Sequence, residues 1–154
     1  MLESQLKVLL IEDNPGDVRL VEEALSEVTS PKFHVTQVSK LGEGLRLLGK
    51  KRFDVVLLDL LLDDSPRLGT LMEVYEQSSN VPVVVLTGLD DDTVSRWVIR
   101  EGAQDYLIKS QIDGELLRHT LVDAVDRHSA LVRKGPLPQQ QTEVRIPAQP
   151  GSFE

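Results

Sequence analysis

Four short apolar runs, each followed at once by a polar residue, constrain the fold of this chain more than any other feature. The runs span residues 8–11, 55–58, 83–86 and 106–108, and the residues that follow them are Glu12 and Asp13, Asp59, Thr87 and Lys109. Stretches with helical spacing of apolar residues lie between the runs, and strands that alternate with helices are typical of an α/β fold with a mostly parallel sheet. Ligand sites of such sheets lie beyond the carboxyl ends of the strands. The five polar side chains are therefore expected to converge at one edge of the sheet.

The full pattern predicts five strands and five helices. Strands are expected at about residues 6–12, 33–38, 54–59, 82–87 and 105–108, and helices at about 15–28, 41–48, 68–75, 91–101 and 113–132. The third strand is apolar without alternation, as expected of a central strand that is covered on both faces. In the first helix the apolar residues predict a buried face, and Asp17 is expected on the opposite, polar face. Gly42 and Gly44 weaken the second helix, because glycine is a poor helix former.

Length and composition indicate one domain with a tail. The chain has 154 residues, enough for one ordinary hydrophobic core. From residue 135 onward it is rich in proline and glutamine, so a folded domain is expected over 1–134 and a flexible tail over 135–154. No apolar run approaches the roughly 20 residues that span a membrane, and no export signal is visible. A cytoplasmic protein without a membrane partner is expected.

Charge and residue content exclude several function classes. The chain has no cysteine, which excludes disulfides and thiolate metal sites. Its three histidines are scattered, whereas a zinc site needs them clustered at defined spacing. The net charge of −8 argues against nucleic acid as a partner, since phosphate contacts need concentrated lysine and arginine. Proteins or cations are the expected partners.

The acidic residues at the strand ends predict a metal site. Glu12, Asp13 and Asp59 would share a small volume, where like charges repel one another unless something neutralises them. A hard divalent cation such as magnesium, or manganese in its place, takes oxygen ligands and keeps several waters, so carboxylates and one backbone carbonyl suffice. The carbonyl of Leu61, two residues after Asp59, is the expected further ligand.

The same strand ends predict chemistry at phosphorus. An aspartate beside such a cation, a lysine and a hydroxyl is suited to attack phosphorus and form an acyl phosphate, and Asp59 is the predicted nucleophile. Lys109 would neutralise the phosphoryl oxygens as a point charge, and Thr87 would donate a hydrogen bond to one of them. Acidic residues at strand ends are often only solvated loop residues, and a lysine there can be an ordinary surface amine. A Glu-Asp pair, an Asp, a Thr and a Lys in this order on successive strand ends nevertheless argue against coincidence.

With these residues in place, the chain resembles the receiver domain of two-component response regulators over about residues 5–130. The motifs that carry the resemblance are VLLIEDN, DVVLLDL, VPVVVLTG and AQDYLIK. The resemblance implies a flavodoxin-like, doubly wound sheet of five parallel strands in the order 2-1-3-4-5, with five helices. It also implies magnesium-dependent transfer of a phosphoryl group to Asp59 from a sensor histidine kinase or a histidine phosphotransfer protein.

The resemblance also implies a role for each site residue. Glu12 and Asp13 would match the family's metal-binding acidic pair, Lys109 its lysine, Thr87 its switch hydroxyl and Tyr106 its switch aromatic residue. In the family, phosphorylation draws the hydroxyl residue inward, the aromatic residue follows, and the surface formed by the fourth helix, fifth strand and fifth helix changes. A downstream protein partner or a phosphorylation-driven homodimer would use that surface.

Four positions depart from what many receivers have. Asp63 and Arg67 replace the proline and glycine that are common in the loop after the phosphoacceptor, and the other two positions are Trp97 and Ser110. Trp97 lies in the predicted fourth helix, where many receivers have a polar residue, and a partly exposed indole can anchor an interface. A partner or dimer surface with Trp97 and Tyr106 is one interpretation, and packing of Trp97 within the monomer is the other. Ser110 follows Lys109 where many receivers have a cis proline, so a trans Lys109–Ser110 bond is expected.

Three functions are compatible with this fold. In the leading interpretation the chain is a stand-alone receiver, since no output domain follows residue 134, and it signals by protein contacts or phosphorelay rather than as an enzyme. A phosphorylation-independent adaptor with a receiver fold is the alternative, and the complete set of strand-end residues argues against it. A phosphatase with an aspartyl nucleophile would be expected to carry a second aspartate where this chain has Leu61.

Overall fold

One parallel sheet organises the part of the chain that the computed structural model describes, namely residues 5–59, 74, 76, 80–88, 99–100 and 103–134. The strands are β1 (Gln5–Ile11), β2 (Lys32–Val38), β3 (Val55–Asp59), β4 (Val83–Thr87) and β5 (Asp105–Ile108). Their order in the sheet is β2-β1-β3-β4-β5, and every neighbouring pair is parallel. The predicted α/β class and strand order are confirmed, and each strand bound lies within one residue of the predicted one.

Three helices are described along their length: α1 (Pro15–Ser26), α2 (Leu41–Leu48) and α3 (Gly114–Lys134). The predicted end of the first helix, at residue 28, was wrong by two residues. The amide of Val28 donates to the carbonyl of Leu25 at 3.1 Å, a short-range bond that tightens the last turn and closes α1. α3 begins just after Asp113, whose Oδ1 accepts a hydrogen bond from the amide of Leu116 at 2.8 Å, the geometry of a helix N-cap.

Parts of the other two predicted helices are described. Val74 and Glu76 are helical residues between β3 and β4, and Ile99 and Arg100 are helical residues between β4 and β5. They fall in or next to the predicted ranges 68–75 and 91–101, whose remaining residues lie outside the described part of the chain. No helix within the described ranges has the length and apolar character that crossing a bilayer requires.

The hydrophobic core lies on both faces of the sheet. The face toward α2 contains Leu9, Ile11, Val56, Leu58, Val83 and Val85, with Val38, Leu41 and Val74. The face toward α1 and α3 contains Val8, Leu10, Val55, Leu57, Val84 and Leu86, with Val21, Leu25, Leu117 and Leu121. Successive side chains of a strand point to opposite faces. The continuous apolar runs of the sequence are therefore explained by burial of β1, β3 and β4 on both sides.

Gly44 allows α2 to approach β1 closely. A Cβ atom at this position would lie 2.6 Å from Cδ1 of Ile11, closer than real Cβ contacts come, and 3.0 Å from its Cγ1. At Gly42, two residues earlier in the same helix, an added Cβ would have nothing within 4 Å. Gly44, which counted against this helix in the sequence, thus leaves room for the side chain of Ile11, which would have to shift for any larger residue.

β5 leads into a short turn that carries the last of the predicted site residues. Residues Lys109–Gln111 form one turn of 3-10 helix between β5 and α3. The cis peptide bond among the described residues is Ser30–Pro31, so the Lys109–Ser110 bond is trans, as expected. The turn places the side chain of Lys109 at the carboxyl edge of the sheet.

Candidate functional site

The four neighbouring strands β1, β3, β4 and β5 place the predicted polar residues along one edge of the sheet. In the register of these strands Ile11 pairs with Leu58, Asp59 with Leu86, and Thr87 with Ile108. Glu12 and Lys109 each follow directly after a strand, whereas Asp59 and Thr87 are the last residues of theirs. The predicted convergence at the carboxyl edge is what the sheet shows.

Three carboxylates form an acidic cluster at this edge. Glu12, Asp13 and Asp59 each offer an oxygen atom, and these atoms all lie within 4.8 Å of one another. Glu12 is 0% and Asp59 3% exposed, whereas Asp13 is half-buried. Among the described residues this is the group suited to hold a metal ion, and it contains no histidine.

Hydrogen bonds fix the turn that carries Glu12. The amide of Glu12 donates to the carbonyl of Val38 at 3.0 Å, which ties the turn to the end of β2. The side-chain amide of Gln37 donates to the carbonyl of Glu12 at 3.0 Å, and the amide of Asn14 donates to Oε1 of Glu12 at 3.1 Å. Gln37 was not predicted as part of the site, because a single polar residue in an edge strand carries no signal of its partner.

Lys109 connects the acidic cluster to α1. Its Nζ lies 2.9 Å from Oε2 of Glu12, 2.8 Å from Oδ2 of Asp17 and 3.4 Å from Oδ2 of Asp59. The side chain of Lys109 is 16% exposed, so this ammonium is largely removed from water. One buried cation therefore faces three carboxylates on three different segments of the chain.

The prediction that Asp17 lies on the solvated face of α1 was wrong. Its carboxylate is half-buried and accepts a hydrogen bond from Lys109. Asp17 lies in the first turn of the helix, on the side that faces the carboxyl edge of the sheet rather than on the outer face. Helical spacing alone could not show this, because the partner is 92 residues away in the sequence.

Burial and charge shift the pKa values of two of these groups. Burial raises the pKa of the Glu12 carboxyl to about 7, and the neighbouring Asp59 carboxylate acts in the same direction, while Lys109 and the amide of Asn14 oppose the shift. Burial acts to lower the pKa of the Lys109 ammonium, but its hydrogen bond to Asp17, its close contact with Glu12 and the charge of Asp59 outweigh burial and raise that pKa. Lys109 is therefore a permanent cation in a site with excess negative charge.

Thr87 and Tyr106, the predicted switch residues, lie on adjacent strands. Thr87 ends β4 and is 6% exposed. Tyr106 on β5 pairs with Val85 in the register and packs, half-buried, against the core layer beneath α2. Leu61, the predicted carbonyl ligand, and Trp97, the predicted interface residue, lie outside the described residues.

The acidic cluster has the donor chemistry of a magnesium site. Carboxylate oxygens are the ligands that this hard cation takes in proteins, and one or two of them with waters suffice. The cluster brings three carboxyl groups together with one ammonium, that of Lys109, which contacts two of them and also Asp17. The residues present therefore fit a divalent cation.

Comparison with known proteins gives the class of this chain. The sequence profile described as "Response regulator receiver domain" matches residues 8–121. Because this match spans most of the chain, the protein belongs to the receiver domain family of response regulators. Receiver domains are signalling modules of two-component systems rather than enzymes.

Relatives with known names are similar over this same region. The "Probable C4-dicarboxylate response regulator DctR" of Bacillus subtilis is 30% identical over 112 residues, which cover 71% of this chain and 48% of that protein. "Protein PilH" of Pseudomonas aeruginosa is 28% identical over 120 residues, which cover 75% of this chain and 93% of that protein. The chain spans less than half the length of several other curated relatives that it matches.

One solved structure is informative about the edge of the sheet. The receiver domain of the sensor histidine kinase PA1611 from Pseudomonas aeruginosa PAO1 superimposes with a TM-score of 0.66 at 25% identity, covering 80% of this chain and 99% of that chain. That protein has a magnesium ion coordinated in its active site cleft.

Proposed function

We propose that this receiver domain accepts a phosphoryl group on Asp59 from a sensor histidine kinase or a histidine phosphotransfer protein. The observation that carries the proposal is the 3.4 Å distance between Nζ of Lys109 and Oδ2 of Asp59, within the acidic cluster. A nearly buried carboxylate next to a permanent cation is suited to attack an anionic phosphorus centre, because the cation offsets the repulsion between the two.

The residues at the strand ends divide the reaction between them. An oxygen of Asp59 attacks phosphorus and forms a new P–O bond, while the bond from phosphorus to the donor's histidine nitrogen breaks and the nitrogen keeps the electron pair. Lys109 offsets the charge of the phosphoryl oxygens, and the hydroxyl of Thr87 donates a hydrogen bond to one of them. A carboxylate attacks phosphorus without losing a proton in the step, so the reaction needs no general base to activate the nucleophile.

Glu12, Asp13 and Asp59 would hold magnesium, or manganese in its place, with the backbone carbonyl of Leu61 as a further ligand. When bound, the cation supplies positive charge to the phosphoryl oxygens. The donor set of the acidic cluster and the magnesium in the related receiver domain support this assignment. The protein's own part is to keep the three carboxylates together on a rigid sheet edge.

Thr87 and Tyr106 would transmit the change at the phosphorylated site to the protein surface. We propose that Thr87 moves toward the phosphoryl group and that the ring of Tyr106, on the adjacent strand, follows it. The changed surface, with Trp97 and Tyr106 on it, would contact a downstream protein or a second copy of the chain. The flavodoxin-like arrangement would be completed by helices before β4 and before β5, to which the helical residues Val74 and Ile99 would belong. In this proposal residues 1–134 form the receiver and 135–154 a tail outside it.

The proposal is tested by phosphorylation with a small donor. Wild type, Asp59→Asn and Asp123→Asn are incubated with acetyl phosphate and magnesium, and their intact masses are compared. Asp123 is the control because it carries the same chemical change on α3, where it forms a surface ion pair with Arg127. A phosphoryl adduct is expected on wild type and Asp123→Asn but not on Asp59→Asn. No adduct on wild type would contradict the proposal and favour the phosphorylation-independent adaptor.

A further inference from the structure

Asp17, to which the reaction described above assigns no role, makes the shortest of the three ion-pair contacts of Lys109 among the described residues. The distance from Nζ is 2.8 Å to Asp17, compared with 2.9 Å to Glu12 and 3.4 Å to Asp59. Asp17 belongs to the first turn of α1, whereas Lys109 follows β5. The contact therefore joins two elements that the sequence keeps far apart, at the point where the nucleophile lies.

The way α1 is capped leaves the carboxylate of Asp17 available for Lys109. An acidic residue three positions after an N-cap residue often accepts a hydrogen bond from the amide of that residue. Here the amide of Asn14 donates to Glu12 instead, at 3.1 Å. The amide of Asp17 donates to Oδ1 of Asn14 at 3.0 Å, so the backbone of Asp17 is held in place. Its side chain is a fixed acceptor that faces the site.

A lysine ammonium has three N–H donors, and their directions are coupled. The Lys109 ammonium donates a hydrogen bond to Oδ2 of Asp17 at 2.8 Å, which fixes the direction of one donor, while Glu12 at 2.9 Å and Asp59 at 3.4 Å contact the ammonium as ion-pair partners. We propose that Asp17 is a positioning residue, which holds the Lys109 ammonium toward Asp59 and thereby sets the rate of phosphoryl transfer. The inference rests on the proposed function of Asp59. Without Asp17, the ammonium keeps one short contact and can turn away from the nucleophile.

The first test measures the rate at which the phosphoryl adduct forms at saturating acetyl phosphate and magnesium. Asp17→Asn is expected to slow this rate by on the order of tenfold, since small errors in the placement of a catalytic group are costly. Asp17→Glu, which keeps the carboxylate, is expected to recover most of the rate. Glu23→Gln is the matched control, because it removes the same charge from an exposed position of α1 and is expected to keep the wild-type rate.

A second measurement separates positioning from a general structural role. In a Lys109→Gln background there is no ammonium to orient, so adding Asp17→Asn is expected to leave the residual rate unchanged. A further slowing of the same size as in the wild-type background would overturn the inference. So would a wild-type rate for Asp17→Asn alone.

A third readout does not depend on phosphorylation. The Lys109 ammonium is hydrogen-bonded and largely shielded from water, so its protons are expected to exchange slowly enough to give a nitrogen-15 correlation signal in NMR. Asp17→Asn is expected to remove this signal and Glu23→Gln to keep it. If wild type takes no phosphoryl group, the proposed function fails. If wild type does and Asp17→Asn keeps the wild-type rate or the ammonium signal, only the role of Asp17 is overturned.

Discussion

Nζ of Lys109 lies 2.9 Å from Oε2 of Glu12, a carboxylate with no exposure to solvent. Removing one partner of a buried ion pair leaves the other charge without compensation, which usually costs more than the pair contributes. At this site a second buried carboxylate, Asp59, increases that cost. The stability of the domain without bound metal should therefore depend on the ammonium of Lys109.

Lys109→Gln is expected to lower the free energy of unfolding by about 3–5 kcal/mol in the absence of magnesium, at a pH above 7, where the wild-type Glu12 carboxyl with its pKa of about 7 is mostly ionised. Denaturant unfolding followed by circular dichroism measures the change. Lys51→Gln is the control, because Lys51 is exposed and forms no ion pair within the described part of the chain; its expected effect is at most about 0.5 kcal/mol. Equal effects of the two substitutions would show that Lys109 does not stabilise the buried carboxylates.

Magnesium is expected to raise the midpoint of thermal unfolding, because it binds the folded acidic cluster and not the unfolded chain. At a tenfold excess over the dissociation constant the stabilisation is about 1.4 kcal/mol. Asp13→Asn removes one of the three carboxylates and is expected to reduce the shift, whereas Asp123→Asn should keep it. A shift of the same size in wild type and Asp13→Asn would place the cation elsewhere.

Gly44→Ala is expected to destabilise the domain by about 1–3 kcal/mol, the usual cost of forcing extra volume into a packed core. The added methyl group would meet the side chain of Ile11. Gly42→Ala in the same helix meets nothing within 4 Å and is expected to stabilise by up to about 1 kcal/mol, because alanine favours helix. The midpoint of thermal unfolding should thus fall for Gly44→Ala and rise for Gly42→Ala. A lower midpoint for both variants would contradict this account of α2.

Asp113→Ala is expected to cost about 1 kcal/mol, since it removes the side-chain acceptor at the start of α3. Asp126→Ala, on an exposed position of the same helix, removes the same type of side chain without a cap contact and is the control. Chemical denaturation would measure both, and a cost for Asp126→Ala as large as that for Asp113→Ala would rule out the capping role.

Much of the sheet and of its functional edge could be predicted because both depend on local patterns. Continuous apolar runs mark strands buried on two faces, and the residue after each run must lie at the carboxyl edge. The predicted end of α1 was two residues too late, since the closing turn of the helix decides it and the hydrophobic pattern does not. Val28 keeps the apolar spacing of α1 although it lies outside the helix.

Contacts between distant segments could not be predicted in the same way. Asp17 has the spacing of a solvated residue, and only the position of Lys109 after β5 gives it a partner. Gly44 has a poor helix propensity, and only the approach of Ile11 explains why a larger residue does not fit. In both cases the contact is made by a residue of a distant segment, Lys109 after β5 or Ile11 in β1. The periodicity of apolar residues along a helix does not reveal such contacts.

The central claim is that the carboxylate of Asp59 becomes the acyl phosphate, and trapping that bond tests it most directly. After reaction with acetyl phosphate and magnesium, borohydride reduction converts an aspartyl phosphate to homoserine, and peptide mass spectrometry locates it. We expect homoserine at position 59, and none there when acetyl phosphate is omitted. Homoserine at position 13 or 17 in place of 59, or at no position, would contradict the account.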